Sequence, residues 1–177
     1  MWDQFILESP WLKTPLDSKF DMLMSNSDIQ KIKNTCEHIG NFEKYEIYEH
    51  VSVNGTELYF ILGNSLEAYY RYLSNPDGSI QTGLSWNNKK HRGTFRHIFS
   101  KYIIPRFKVV ESDDMMTPEA FKFWKRIIAE NPNYDYYAKV GNKMIELTSP
   151  HDVFFYREGM GVGDDENSTF IVKTRLK

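Results

Sequence analysis

The sequence predicts a mixed α+β (α/β-type) fold: an antiparallel meander, then a strand–helix–strand–helix–strand run, with an irregular arm at the N-terminus. Three observations predict it. Tyr-, Ile-, Val- and Phe-rich runs broken by turn residues fill Glu43 to Trp86. After Trp86 the apolar spacing changes from strand-like alternation to three and four residues. And 177 residues with 41% hydrophobic and 15% aromatic positions suffice for one core, burying roughly 70% of the unfolded surface. The chain therefore reads as a single domain over 1–177, with an arm at 1–27 and a core at 28–177.

The arm mixes Trp2, Phe5, Trp11, Phe20 and Met22 with Pro10 and Pro15, and a short helix is expected near 17–24. Ser27 is a good N-cap; Ile29, Ile32, Cys36 and Ile39 then share a helical face until Gly40, giving an amphipathic helix over about 28–39. Glu43–Val53 and Thr56–Leu62 form a hairpin around Asn54-Gly55, because that pair tolerates the positive φ of a tight turn. A third strand covers about 66–73. Asn75-Pro76-Asp77-Gly78 is turn chemistry, and Ile80–Trp86 is the fourth strand. Phe95, Ile98, Phe99, Tyr102 and Ile103 mark a helix over about 93–104, which Pro105 is expected to end. A short strand follows at Phe107–Glu111. Thr117-Pro118 opens the next helix, with Phe121, Trp124 and Ile128 as its buried stripe. Strands at Tyr134–Val140, Lys143–Leu147 and near 168–175 complete the order.

Charge and cysteine usage exclude several classes. Lys plus Arg is 22 and Asp plus Glu 24, a formal charge of −2, so the chain is neither a histone-like polycation nor an acidic tail. Cys36 stands alone, which removes an internal disulfide and any Cys-x-x-Cys zinc site and points to a reducing cytoplasm. Met1 to Pro15 lacks a basic export signal, no long apolar run spans a membrane, and five scattered His show no metal-ligand spacing.

One stretch stands apart. From Ser79 to Val110 the chain carries Lys89, Lys90, Arg92, Arg96, Lys101, Arg106 and Lys108 with His91 and His97, and no Asp or Glu. Within it, Trp86-Asn87-Asn88-Lys89-Lys90-His91-Arg92-Gly93-Thr94-Phe95-Arg96 leads from a strand through a basic glycine loop into a helix. Free N–H groups and the helix dipole there favour a phosphate. Nucleic acid is the other polyanion such a stretch suits, with Trp86, His91 and Tyr102 for stacking. A solvated helix face is the ordinary alternative.

With these residues in hand, the chain resembles the GNAT superfamily of N-acyltransferases over about 43–147, in the meander, the basic glycine loop and the helix–strand–helix that follow. Ser112-Asp113-Asp114-Met115-Met116-Thr117-Pro118, with Trp124, is also similar to a pattern of bacteriophage GNAT-like proteins. The resemblance implies transfer of an acetyl group from acetyl-CoA to an amine on a protein, nucleobase or small molecule. It implies that Lys90, His91, Arg92, Gly93, Thr94 and Arg96 wrap the pyrophosphate, and that backbone N–H groups near Leu84 and Trp86 polarise the thioester carbonyl. The family's loop ends in a small residue where this chain has Phe95, which either blocks the site or turns inward onto the helix's apolar face. A Tyr after the fifth strand would be the acid, with Tyr134, Tyr136 and Tyr137 placed for it. Glu49, His50, Glu67, Asp113 and Asp114 are the candidate bases, Asp113 preferred because it follows a strand's carboxyl end. A catalytically inactive relative that binds nucleic acid or a host protein, such as an inhibitor of a host defence system, is the alternative. The glycines Gly159, Gly161 and Gly163 before Asp164, Asp165 and Glu166 read as a hairpin end or lid, since their spacing matches no nucleotide or calcium loop.

Overall fold

The computed structural model describes residues 25–88, 90–113, 118–140, 143–149 and 168–175. The expected arm helix, the glycine-rich lid, Asp114 and Lys89 lie outside these residues. The chain is mixed α+β and forms two compact units, Met1–Leu73 with Leu84–Phe95, and Ser74–Gly83 with Arg96–Lys177.

In the first unit, α1 (Asn26–Thr35) leads into β1 (Glu37–Phe42), β2 (Tyr45–Ser52), β3 (Gly55–Leu62) and β4 (Ser65–Ser74), which lie in that order beside the later half of β5 (Ile80–Asn87). The N-cap is Ser25 rather than Ser27: its hydroxyl accepts from the Asp28 amide at 3.4 Å, and the Asp28 carboxylate accepts from the Ser25 amide at 3.0 Å. The helix stops at Thr35, four residues short of the predicted end. Glu37–Phe42 instead pairs antiparallel with β2, from Glu37 opposite Glu49 to Phe42 opposite Tyr45, with an irregularity between His38 and Gly40. A ladder with a neighbouring strand outweighs the local spacing of Ile39, and the meander has five strands rather than four. Ser52 faces Gly55, so the β2–β3 turn residues are Val53 and Asn54, not Asn54 and Gly55. The glycine serves another purpose: at φ +122 a Cβ on Gly55 would sit 2.5 Å from the Tyr72 carbonyl oxygen. Ile29, Ile32 and Cys36 pack with Tyr48, Tyr59, Ile61, Leu66 and Tyr69, and Leu84 and Trp86 lie against this cluster.

In the second unit the order is the first half of β5, β6 (Val109–Glu111), β9 (Ser168–Thr174), β7 (Tyr134–Val140) and β8 (Lys143–Glu146). β5 and β6 run parallel, Ile80 beside Val110, while β6–β9, β7–β9 and β7–β8 are antiparallel. Helix α4 (Pro118–Glu130) buries Trp124, Ile127 and Ile128, and Trp124 meets Phe99 edge-on at 5.7 Å.

Pro105 does not end its helix. The run is α2 (Thr94–Ile98), a π-helical turn (Phe99–Ile103) and α3 (Ile104–Phe107), closed by Lys108 at φ +63. In the π turn the Ile104 amide bonds the Phe99 carbonyl, five residues back. The next bond in that register would need an N–H on residue 105, which proline lacks. The Tyr134 hydroxyl supplies the missing donor, at 2.9 Å from the Ser100 carbonyl.

Candidate functional site

The strand-to-helix turn after β5 is built by two asparagines. Asn88 donates its amide to the Glu67 carbonyl at 3.0 Å and its side-chain Nδ2 to the Leu66 carbonyl at 3.3 Å, pinning the turn to β4. Asn88 Oδ1 accepts from the Lys90 amide at 3.0 Å, and Asn87 Oδ1 from the Phe95 amide at 2.7 Å. The His91 amide bonds the Asn88 carbonyl at 3.0 Å and the Thr94 amide the His91 carbonyl at 3.3 Å. Four amides expected to face an anion are thus spent inside the turn. What the turn offers outward is cationic side chains: Lys90 and Arg92 are exposed around Gly93, whose φ is +89. Neither asparagine was among the predicted site residues. Their signal in the sequence is the adjacent pair itself, since Asn side chains bond nearby backbone.

Glu67 lies on β4, 1% exposed, and its Oε2 accepts a hydrogen bond from His91 Nδ1. Its other oxygen, Oε1, is buried and has no hydrogen-bond partner among the described residues. The His91 side chain is 55% exposed, so one ring edge meets the buried carboxylate while the rest reaches outward. The sequence separates these two predicted site residues by 24 positions, and the structure joins them.

Phe95 turns inward, 6% exposed, with its ring 5.9 Å from that of Tyr70. Leu84 and Trp86 are half-buried on the core cluster. His50, another candidate, places Nδ1 3.1 Å from Oε2 of Glu57, a carboxylate that is 3% exposed. Glu57 also accepts from the Tyr59 hydroxyl at 2.9 Å and the Tyr69 hydroxyl at 2.8 Å. Burial, and then the Glu57 charge, hold both phenols well above their ordinary pKa.

The remaining candidates belong to the second unit. Arg96 Nε lies 3.0 Å from Glu130 Oε2. The stretch that is free of acids in sequence therefore gains a carboxylate in space within each unit, Glu67 on His91 and Glu130 on Arg96. Tyr136 is buried and donates to the Asn131 and Ile127 carbonyls at 2.8 and 3.2 Å, closing the end of α4; burial raises its pKa. Tyr134 serves the Ser100 carbonyl, and burial raises its pKa too. Both hydroxyls are engaged with backbone. Asp113 is half-buried, and its carbonyl accepts from the Ser112 hydroxyl at 3.0 Å. Among the described residues no group of His, Cys, Asp and Glu is arranged to hold a metal, and no helix is long and apolar enough to cross a membrane.

No protein-family model matches the chain, and no curated protein matches it in sequence. Among solved structures, an acetyltransferase of Bacillus subtilis in complex with CoA is similar at 10% identity, over 93% of this chain and 95% of that one, with a TM-score of 0.38. At that score neither fold nor activity is transferred from it.

Proposed function

We propose that the protein is a GNAT-type N-acyltransferase, of the kind bacteriophages encode, that moves an acetyl group from acetyl-CoA to an amine. The observation that carries the reading is the turn after β5, which presents Lys90, His91 and Arg92 outward from a backbone locked by Asn87 and Asn88. The donor set fits a diphosphate through its cations. With four of the turn's amides committed, Lys90 and Arg92 would neutralise phosphate charge chiefly with their side chains. Phe95 packs on Tyr70, leaving the outer face of the turn clear of its ring. Acetyl-CoA supplies the activated thioester; the chain's task is to hold it beside the amine and to move one proton. The amides near Leu84 and Trp86 would polarise the thioester carbonyl.

Calorimetric titration with acetyl-CoA tests this. Wild-type protein is expected to bind, and Arg92→Glu to bind at least about tenfold more weakly, the loss of one charge-assisted contact, with an unchanged circular dichroism spectrum. Equal affinities would discard the turn as the donor site, and no binding by wild type would discard the activity.

A second reading, nucleic-acid binding by an inactive relative, draws on the exposed Lys101, Arg106 and Lys108 of the second unit, where Arg106 stacks 5.7 Å from the Tyr102 ring centre. It predicts affinity for DNA or RNA that falls steeply with salt and no thermal stabilisation by acetyl-CoA.

A further inference from the structure

We infer that the outer face of the helical run from α2 through the π turn to α3 binds single-stranded nucleic acid; the ligand class rests on the second reading above, and the face stands whether or not the chain transfers acetyl groups. His97, Lys101, Pro105, Arg106 and Lys108 are exposed, and Phe99, Ile103 and Ile104 are buried on the opposite side. The π turn aligns the cations. At about 100° per residue, an unbroken α-helix would set Arg106 about 140° round from Lys101. The one extra residue in the turn brings that to about 40°, so both charges share the side of His97.

Arg106 distinguishes this face from a merely charged one. Its Nη1 donates to the Tyr102 hydroxyl at 2.8 Å, and its guanidinium lies 5.7 and 5.5 Å from the ring centres of Tyr102 and Phe107. Held by two half-buried rings, the guanidinium is a flat cationic plate on which a base stacks, while Lys101 and Lys108 pair with phosphates along the strand. The helical run itself contains no Asp or Glu. An acidic peptide supplies carboxylates but no ring at every repeat, so charge and plate together favour a nucleotide chain.

Fluorescence anisotropy of a labelled oligothymidine, titrated with the full chain across a salt series, tests the face. Wild type is expected to bind with a log–log salt slope of about −2, about 0.7 for each of Lys101, Arg106 and Lys108. Arg106→Gln, at an exposed position, is expected to bring the slope to about −1.4 and to weaken binding about fivefold or more, the loss of one stacked base. Arg92→Gln, in the other unit, is expected to change the affinity by less than about twofold, small beside that loss. No binding by wild type at low salt ends the second reading and the face together. Binding that Arg106→Gln leaves unchanged in slope and affinity overturns the face alone, as does a larger loss in Arg92→Gln, which would move the ligand to the turn after β5. Equally tight binding of polyglutamate overturns the nucleic-acid assignment in favour of an acidic protein. Acetyl-CoA is expected not to displace the oligonucleotide; displacement would put both on one site and overturn the face, whereas failure of acetyl-CoA to bind in calorimetry discards the acyltransferase reading and leaves the face standing.

Discussion

Two buried glutamates in the first unit, on adjacent strands, each hold the Nδ1 of a histidine, yet they are used differently. Glu57 on β3 is saturated: two tyrosine hydroxyls and His50 cover both of its oxygens. Glu67 on β4 has His91 on one oxygen and, among the described residues, no partner on the other. His50 is mostly covered, at 25% side-chain exposure, whereas His91 stands 55% exposed on a locked turn. A carboxylate whose acceptor capacity is met inside the core is a structural node. One whose partner among the described residues is an exposed imidazole ties a strand to a surface turn instead.

Stability measurements break or sharpen this contrast. The largest effect is expected from Glu57→Ala, which strands two buried phenols: about 4 kcal/mol in urea denaturation, against less than half of that for Glu67→Ala. Equal losses would erase the distinction. Tyr69→Phe removes one bond to the Glu57 carboxylate and is expected to cost about 1.5–3 kcal/mol, read in the same experiment. The network also gives stability an alkaline limit. Tyr59 and Tyr69 have folded pKa values raised above the unfolded one, so their contribution is complete below about pH 10 and is lost as pH rises beyond it. Each removes about 1.4 kcal/mol per pH unit there, and Tyr59→Phe should flatten that slope. The smallest effect is expected at the rim. Lys33 pairs with Glu46 and lowers that carboxyl's pKa, so the pair contributes above the unfolded carboxylate pKa and is lost on acidification. Because Glu46 is 38% exposed, Lys33→Met should cost no more than about 0.5 kcal/mol at neutral pH, and still less in high salt.

Much of the architecture is legible in the linear chain. Alternation in β2 to β5 and the three-and-four spacing of Phe95, Ile98, Phe99 and Ile103 are local patterns, and the elements form where those patterns lie. The misses share a cause. Ile39 fits a helix until β2 offers five of its neighbours a ladder, and Pro105 breaks a helix unless a π turn and a distant phenol absorb its missing N–H. The site was half legible. The basic turn is plain in composition, but which of its amides are free depends on Asn87 and Asn88 folding back upon it.

What the sequence by itself determined is the supply: a glycine where φ must be positive, cations clustered after β5, and carboxylates and histidines at alternating strand positions, all consequences of neighbours within a few residues. The pairing came from the tertiary fold: Glu57 meets two tyrosines and His50, while among the described residues the Glu67 carboxylate meets His91. Strand register and the path of the turn bring residues together across as many as 24 positions, and no local preference encodes which carboxylate meets which partner.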